Sequence, residues 1–197
     1  MTRLRNHAGS NFDKHMRNRF YTILLLFGLL SHLCAADSRL RWKVYVDKNY
    51  GYSIPVPANL SLLPWTGDPE SAWQIRNRDF ESKDGKVGLY ISTHFTLERT
   101  LQDFFNSEFA RRLNGGDGIN YWVVKNNWYV ISGTNYLGFE YYSKTVVFTD
   151  HSFGLSNERY IHYDFVYPAS QRAIYDAAAA KIARKFVPNL PGWYERS

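Results

Sequence analysis

Two segments of this chain carry apolar residues on both faces of a strand. In Gly138 to Phe148, Phe139, Tyr141 and Val147 oppose Tyr142, Val146 and Phe148. In Glu158 to Tyr167, Ile161, Tyr163 and Phe165 oppose Tyr160 and Val166. A sheet that is apolar on both faces needs cover on both, which excludes an open, one-sided sheet and calls for helices or long loops on either side. The neighbouring pattern supplies more strands. Trp42, Val44 and Val46 alternate through 41–47, and Val87, Leu89, Ile91, Thr93 and Phe95 share one face of a strand. A further strand is expected over 72–80. Strands over 119–125 and 128–133 are joined by Asn126-Asn127, a two-residue hairpin signal. Pro55 and Pro57 put Tyr52 to Pro57 at a sheet edge or in a loop.

Helical spacing occurs twice. Thr100 caps Leu101, Phe104, Phe105, Phe109 and Leu113 through Arg112, with Asp103 as capping-box partner. Ser170 is expected to cap a last helix with the stripe Ile174, Tyr175, Ala178, Ala179, Ile182 and Phe186. The expected class is therefore α+β: a central, mostly antiparallel twisted sheet of about six strands flanked by helices.

The first 36 residues differ in kind. Arg3, Arg5, Lys14, Arg17 and Arg19 precede an apolar run from Phe20 to Leu33, and Cys34-Ala35-Ala36 places small-residue cleavage chemistry before Asp37. That order is a secretory signal, and its apolar run falls short of the roughly 20 residues that span a bilayer. Met16 is an alternative start. The organisation expected is a signal peptide over 1–36, a lead-in over 37–41, one domain over 42–188 and a tail over 189–197. The product is then exported, periplasmic or extracellular, and touches a membrane only through an uncleaved leader.

Charge and cysteine content follow from this division. The whole chain has 24 Lys+Arg against 18 Asp+Glu, a net +6, but the leader accounts for +4 and the rest keeps only +2. The lone Cys34 also lies in the leader. The remainder has no thiol for catalysis, disulfides or thiolate ligation. No strand alternates aromatics with Lys or Arg, so nucleic acid is not an expected partner.

The opening Tyr50-Gly51-Tyr52-Ser53-Ile54-Pro55-Val56-Pro57 resembles the start of PsbP-like and Ran-binding Mog-like domains. So does the ending, Asp164-Phe165-Val166-Tyr167-Pro168 followed by a helix closing Ile182-Ala183-Arg184-Lys185-Phe186. Asn127 to Thr134 and Tyr167 to Arg172, with Tyr175-Asp176, are similar to a set of uncharacterised exported bacterial proteins of that type. The resemblance spans about residues 43–188. It implies an antiparallel sheet sandwiched between helices and a binding or accessory role, and it brings no catalytic residues with it.

Candidate chemistry in the residues themselves is sparse. His162 and Asp164 share a strand face, Glu140 is expected on an adjacent strand, and His94 completes the expected polar sheet face. Those four in one cleft would favour a small periplasmic hydrolase; scattered, they would not. A Ser132, His151, Asp164 triad lacks a G-x-S-x-G elbow. Asp79, Glu81 and Asp84 read as a solvated loop. No metal site and no cofactor are expected. The aromatics are better leads. Trp65 and Trp73 flank a Pro/Gly-bearing loop, and Tyr121, Trp122 and Trp128 flank the Asn126-Asn127 hairpin. Such groups stack on sugars or anchor a protein partner. The reading is an exported, non-enzymatic binding domain of the bacterial envelope, its partner a protein or a polysaccharide. A hydrolase and an immunity protein against a secreted toxin are the alternatives.

Overall fold

The computed structural model describes residues 40–64, 75–96, 100–150 and 157–188. The leader, Met16, Trp65, Trp73, His151 and the tail over 189–197 lie outside the described residues. Among the described residues, nine strands and two helices follow in the order β1 (Trp42–Asp47), β2 (Tyr52–Pro57), β3 (Leu60–Leu62), β4 (Ile75–Ser82), β5 (Gly88–Thr96), α1 (Leu101–Asn114), β6 (Gly118–Val124), β7 (Trp128–Thr134), β8 (Phe139–Asp150), β9 (Asn157–Pro168) and α2 (Arg172–Lys185).

Seven strands form one sheet in the order β3-β4-β5-β9-β8-β7-β6, and β1-β2 form a separate hairpin. Every pairing is antiparallel. The main sheet thus has one strand more than expected. The added strand, β3, lies in a stretch whose proline and glycine content reads as loop.

Register sorts the side chains between two cores. On one face, Phe80, Leu89, Ile91, Ile161, Tyr163 and Phe165 are buried against Tyr52, Ile54 and Val56 of β2 and Tyr175, Ala178, Ala179 and Ile182 of α2. Each large side chain of this kind contributes roughly 1.5–3 kcal/mol on burial. On the other face, Leu101 and Phe105 of α1 pack on Tyr129, Ile131, Tyr141 and Tyr160. Both faces of β8 and β9 are covered, as their two-sided apolar pattern requires.

The α1 capping box is complete. Asp103 N donates to Thr100 Oγ1 at 3.2 Å, and Thr100 N donates to Asp103 Oδ2 at 2.9 Å. The start of α2 differs from expectation. A single 3₁₀ turn, Ala169–Gln171, precedes it, and Gln171, not Ser170, stands at the N-cap with no side-chain bond. Pro168 ends β9 in an extended conformation from which the chain tightens before it becomes α-helical.

Candidate functional site

The chemistry-bearing cluster lies between α1 and the sheet. Successive residues of a strand point to opposite faces, so His162 and Asp164 on β9 share the α1 side with Ser143 and Thr145 of β8, their register partners. From above, α1 sends down Glu108 and Arg112. They occupy inward positions of the same stripe as Leu101 and Phe105, and Arg112 is buried. Its guanidinium lies over the Tyr141 ring at 4.0 Å.

Arg112 is the hub. Its Nη2 donates to Asp164 Oδ1 at 2.7 Å and to Ser143 Oγ at 2.8 Å, and its Nε donates to Glu108 Oε1 at 2.7 Å. Ser143 also hydrogen-bonds Asp164 Oδ1. Glu108 is gripped a second time by Arg111, at 2.6 and 2.8 Å. His162 Nε2 lies 3.3 Å from Asp164 Oδ2, and its Nδ1 lies 2.8 Å from Thr145 Oγ1. Asp117 joins through Arg112 Nη1 at 3.5 Å. A pocket of about 240 Å³ opens beside the cluster, lined by Phe104, Ser107, Glu108, Arg111, Thr145 and His162 over Tyr129 and Tyr160.

The charges set one another's protonation. Burial pushes Asp164 toward its neutral form, but His162, Arg112 and Ser143 overturn that and hold the carboxyl well below its usual range. Burial would also raise Glu108, yet the Arg111 hydrogen bond and the charges of His162 and Arg112 lower it. Burial works against the His162 imidazolium, but Asp164 and Glu108 win and raise its pKa. With His162 protonated, three cations face three carboxylates.

This arrangement is poorly suited to catalysis. A general base needs an accessible lone pair, whereas both His162 nitrogens are engaged, by Asp164 and by Thr145. Glu108, His162 and Asp164 each offer one ligand atom, all within 4.8 Å of one another. That donor set suits a zinc-type ion. Both carboxylates are, however, already bound by guanidinium donors, and a dication would enter beside two permanent positive charges.

The expected polar face is not one site. Glu140 is on β8, next to β9 as anticipated, but its register partner is Tyr167, so it faces the α2 side. There it accepts from Thr134 Oγ1 at 2.9 Å and Arg172 Nη2 at 2.5 Å. The one-residue offset between Glu140 and Tyr141 decides the face, and strand adjacency alone does not. His94 is placed only by its backbone, opposite Tyr160. Ser132, of the possible triad, pairs with Tyr142 on the α2 side, away from Asp164. Glu108, Arg111 and Arg112 are not among the residues that spacing alone picks out. Their signal was present as an Arg and a Glu falling on the apolar stripe of an amphipathic helix.

The aromatic candidates separate as well. Trp122 is on the α1 side, 5.7 Å from Phe105 and 6.1 Å from Phe109 between ring centroids, yet stays 54% exposed. Tyr121, on the opposite face, is 55% exposed. Trp128 is half-buried under the Lys144 ammonium, 5.4 Å from its ring.

A sheet of this order between these layers has a solved counterpart. It is similar to the solution structure of cyanobacterial PsbP (CyanoP) from Synechocystis, with a TM-score of 0.53 and 13% identity over 74% of this chain and 91% of that one. The fold is PsbP-like. LpqN of Mycobacterium tuberculosis, described as involved in cell envelope biogenesis, aligns at a TM-score of 0.42 and 13% identity over 77% of this chain and 92% of that one. No protein-family model matches the sequence, and a comparison with curated proteins finds no match.

Proposed function

We propose that this PsbP-like chain is an exported, non-enzymatic binding domain that serves another component of the bacterial cell envelope, a protein or a glycan. One observation carries the reading. Among the described residues, Leu113, Tyr136 and Leu137 are large apolar side chains exposed at the turns that close the α1–β6 end of the sheet. Tyr136 is 70% and Leu137 63% exposed. The Tyr136 turn is tied to the α1–β6 turn by Tyr136 N donating to Asp117 Oδ1 at 3.3 Å. Grouped exposed apolar side chains of this kind mark a surface that another molecule covers. The basic, apolar, small-residue leader supports export, and the self-neutralised Arg112 cluster weighs against the hydrolase. Trp65 and Trp73 remain proposed contacts for the same partner.

Capture from the native envelope by the immobilised full chain tests this. A partner retained by the wild type and lost from Tyr136→Ala with Leu137→Ala supports it. Equal capture by both, with both folded, overturns it.

A further inference from the structure

Four described strands have an edge that no described strand pairs: β1, β2, β3 and β6, of which β2 is blunted by Pro55 and Pro57 and by the isolated bridge from Ser53 to Val187. Natural edge strands are blunted by shortness, by charge or by bulges, because a bare edge recruits another strand. The β3 edge is three residues long. The β1 edge carries Lys43 and Asp47. The β6 edge, Gly-Ile-Asn-Tyr-Trp-Val-Val, is seven residues with no charge and no proline, and it exposes Tyr121 and Trp122. Its one blunting device is the register shift between Ile119 and Tyr121, which leaves Tyr121 to Val124 in regular pairing with β7.

We propose that the outer edge of β6 pairs antiparallel with the same strand of a second copy of this chain, joining the two seven-stranded sheets. The inference rests on the α1–β6 end being the binding end of the molecule, and it leaves Leu113, Tyr136 and Leu137 of each copy for the envelope partner. The ends of the strand select the occupant. Asp117 precedes β6 and Lys125 follows it. Antiparallel self-pairing brings the Lys125 ammonium of each copy to the Asp117 end of the other, whereas parallel pairing sets like charge against like. The Asp117 side chain is only 10% exposed and belongs to the Arg112 network, but its contacts to Arg112 Nη1 and Tyr136 N are long, at 3.5 and 3.3 Å, so the Lys125 ammonium would meet it at its solvent margin. Lys125 is exposed. Between these ends the strand offers no charge that self-pairing would oppose. The contact is one strand wide, so the dimer belongs to the weak, concentration-dependent class.

Sedimentation velocity on the full chain, expressed with its leader and purified as the cell processes it, tests the inference between about 1 and about 200 μM, the range in which micromolar association is resolved. The expected result is a monomer–dimer equilibrium, weakened at least tenfold by Lys125→Asp and by Tyr121→Lys and unchanged by Val44→Lys on β1. Tyr121 and Lys125 are exposed positions away from the α1 core, and circular dichroism verifies that each variant folds. A wild-type monomer at the highest concentration overturns the inference. So does a dimer indifferent to Lys125→Asp and Tyr121→Lys, which would use another surface. If the monomer still captures an envelope partner through Tyr136 and Leu137, the reading of the binding end stands without the dimer. If it captures nothing, both fall.

Discussion

Arg112 is a charged residue at a position of α1 that an apolar side chain would ordinarily fill, and its surroundings account for it. It meets Glu108, Asp164, Ser143 and the Tyr141 ring at once. Removing one partner from a buried ion network leaves the others uncompensated, so Arg112→Ala is expected to lower stability by about 3–5 kcal/mol in urea unfolding. Arg112→Lys should recover only part, because one ammonium cannot reproduce the forked contacts. The same cluster predicts a two-sided pH profile. Asp164 and Glu108 titrate lower in the folded than in the unfolded chain, so their contribution is full above the ordinary carboxylate range and is lost as pH falls through their folded values. His162 titrates higher when folded, so its contribution is full below about pH 6.5, its unfolded value, and is lost as pH rises through the folded one. Thermal melts across pH should therefore show a plateau between these limits. His162→Gln should flatten the alkaline decline and keep the acid one.

Among the elements, the β6–β7 pair is governed by one residue. A side chain on Gly133 would meet the Gly118 carbonyl oxygen at 1.9 Å, and that contact is with backbone, so no rotamer relieves it. Gly133→Ala is expected to cost about 1–3 kcal/mol, the range for overpacking. Hydrogen exchange should locate the loss in β6 and the end of α1, which packs on it, while β9 stays protected. The element patterns were largely legible in sequence. Alternation gave β1, β5, β8 and β9, and Asn126-Asn127 does turn β6 into β7, with Lys125 N donating to Trp128 O at 2.8 Å. What escaped was β3, too short to show a period, and the start of α2, where a 3₁₀ turn stands in the place assigned to the Ser170 cap.

At the scale of the whole molecule, the proposed export makes its own demand on the first 36 residues. If the first 36 residues are an export address, the protein purified from its host begins at Asp37, and mass spectrometry should show the chain shortened by that length with no thiol left. A full-length mass would mean that the apolar run stays attached as an anchor. The two layers around the sheet divide the work. The α2 side holds the larger core, and the α1 side holds the buried ion network and borders the exposed β6 edge.

The sequence by itself determined that a largely antiparallel sheet must be covered on both faces, that two helices are amphipathic, and that most of the basic excess lies in the first 36 residues. These are local properties, set by periods of 2 and 3.6 residues and by turn chemistry. Only the tertiary structure decided which charges meet. His162 and Asp164 sit together by strand alternation, but their partners Glu108 and Arg112 lie on a helix about fifty residues earlier, and Glu140, one residue out of phase, is sent to the opposite face. Side-chain proximity across a sheet depends on register, and register is fixed by how all the strands pack at once.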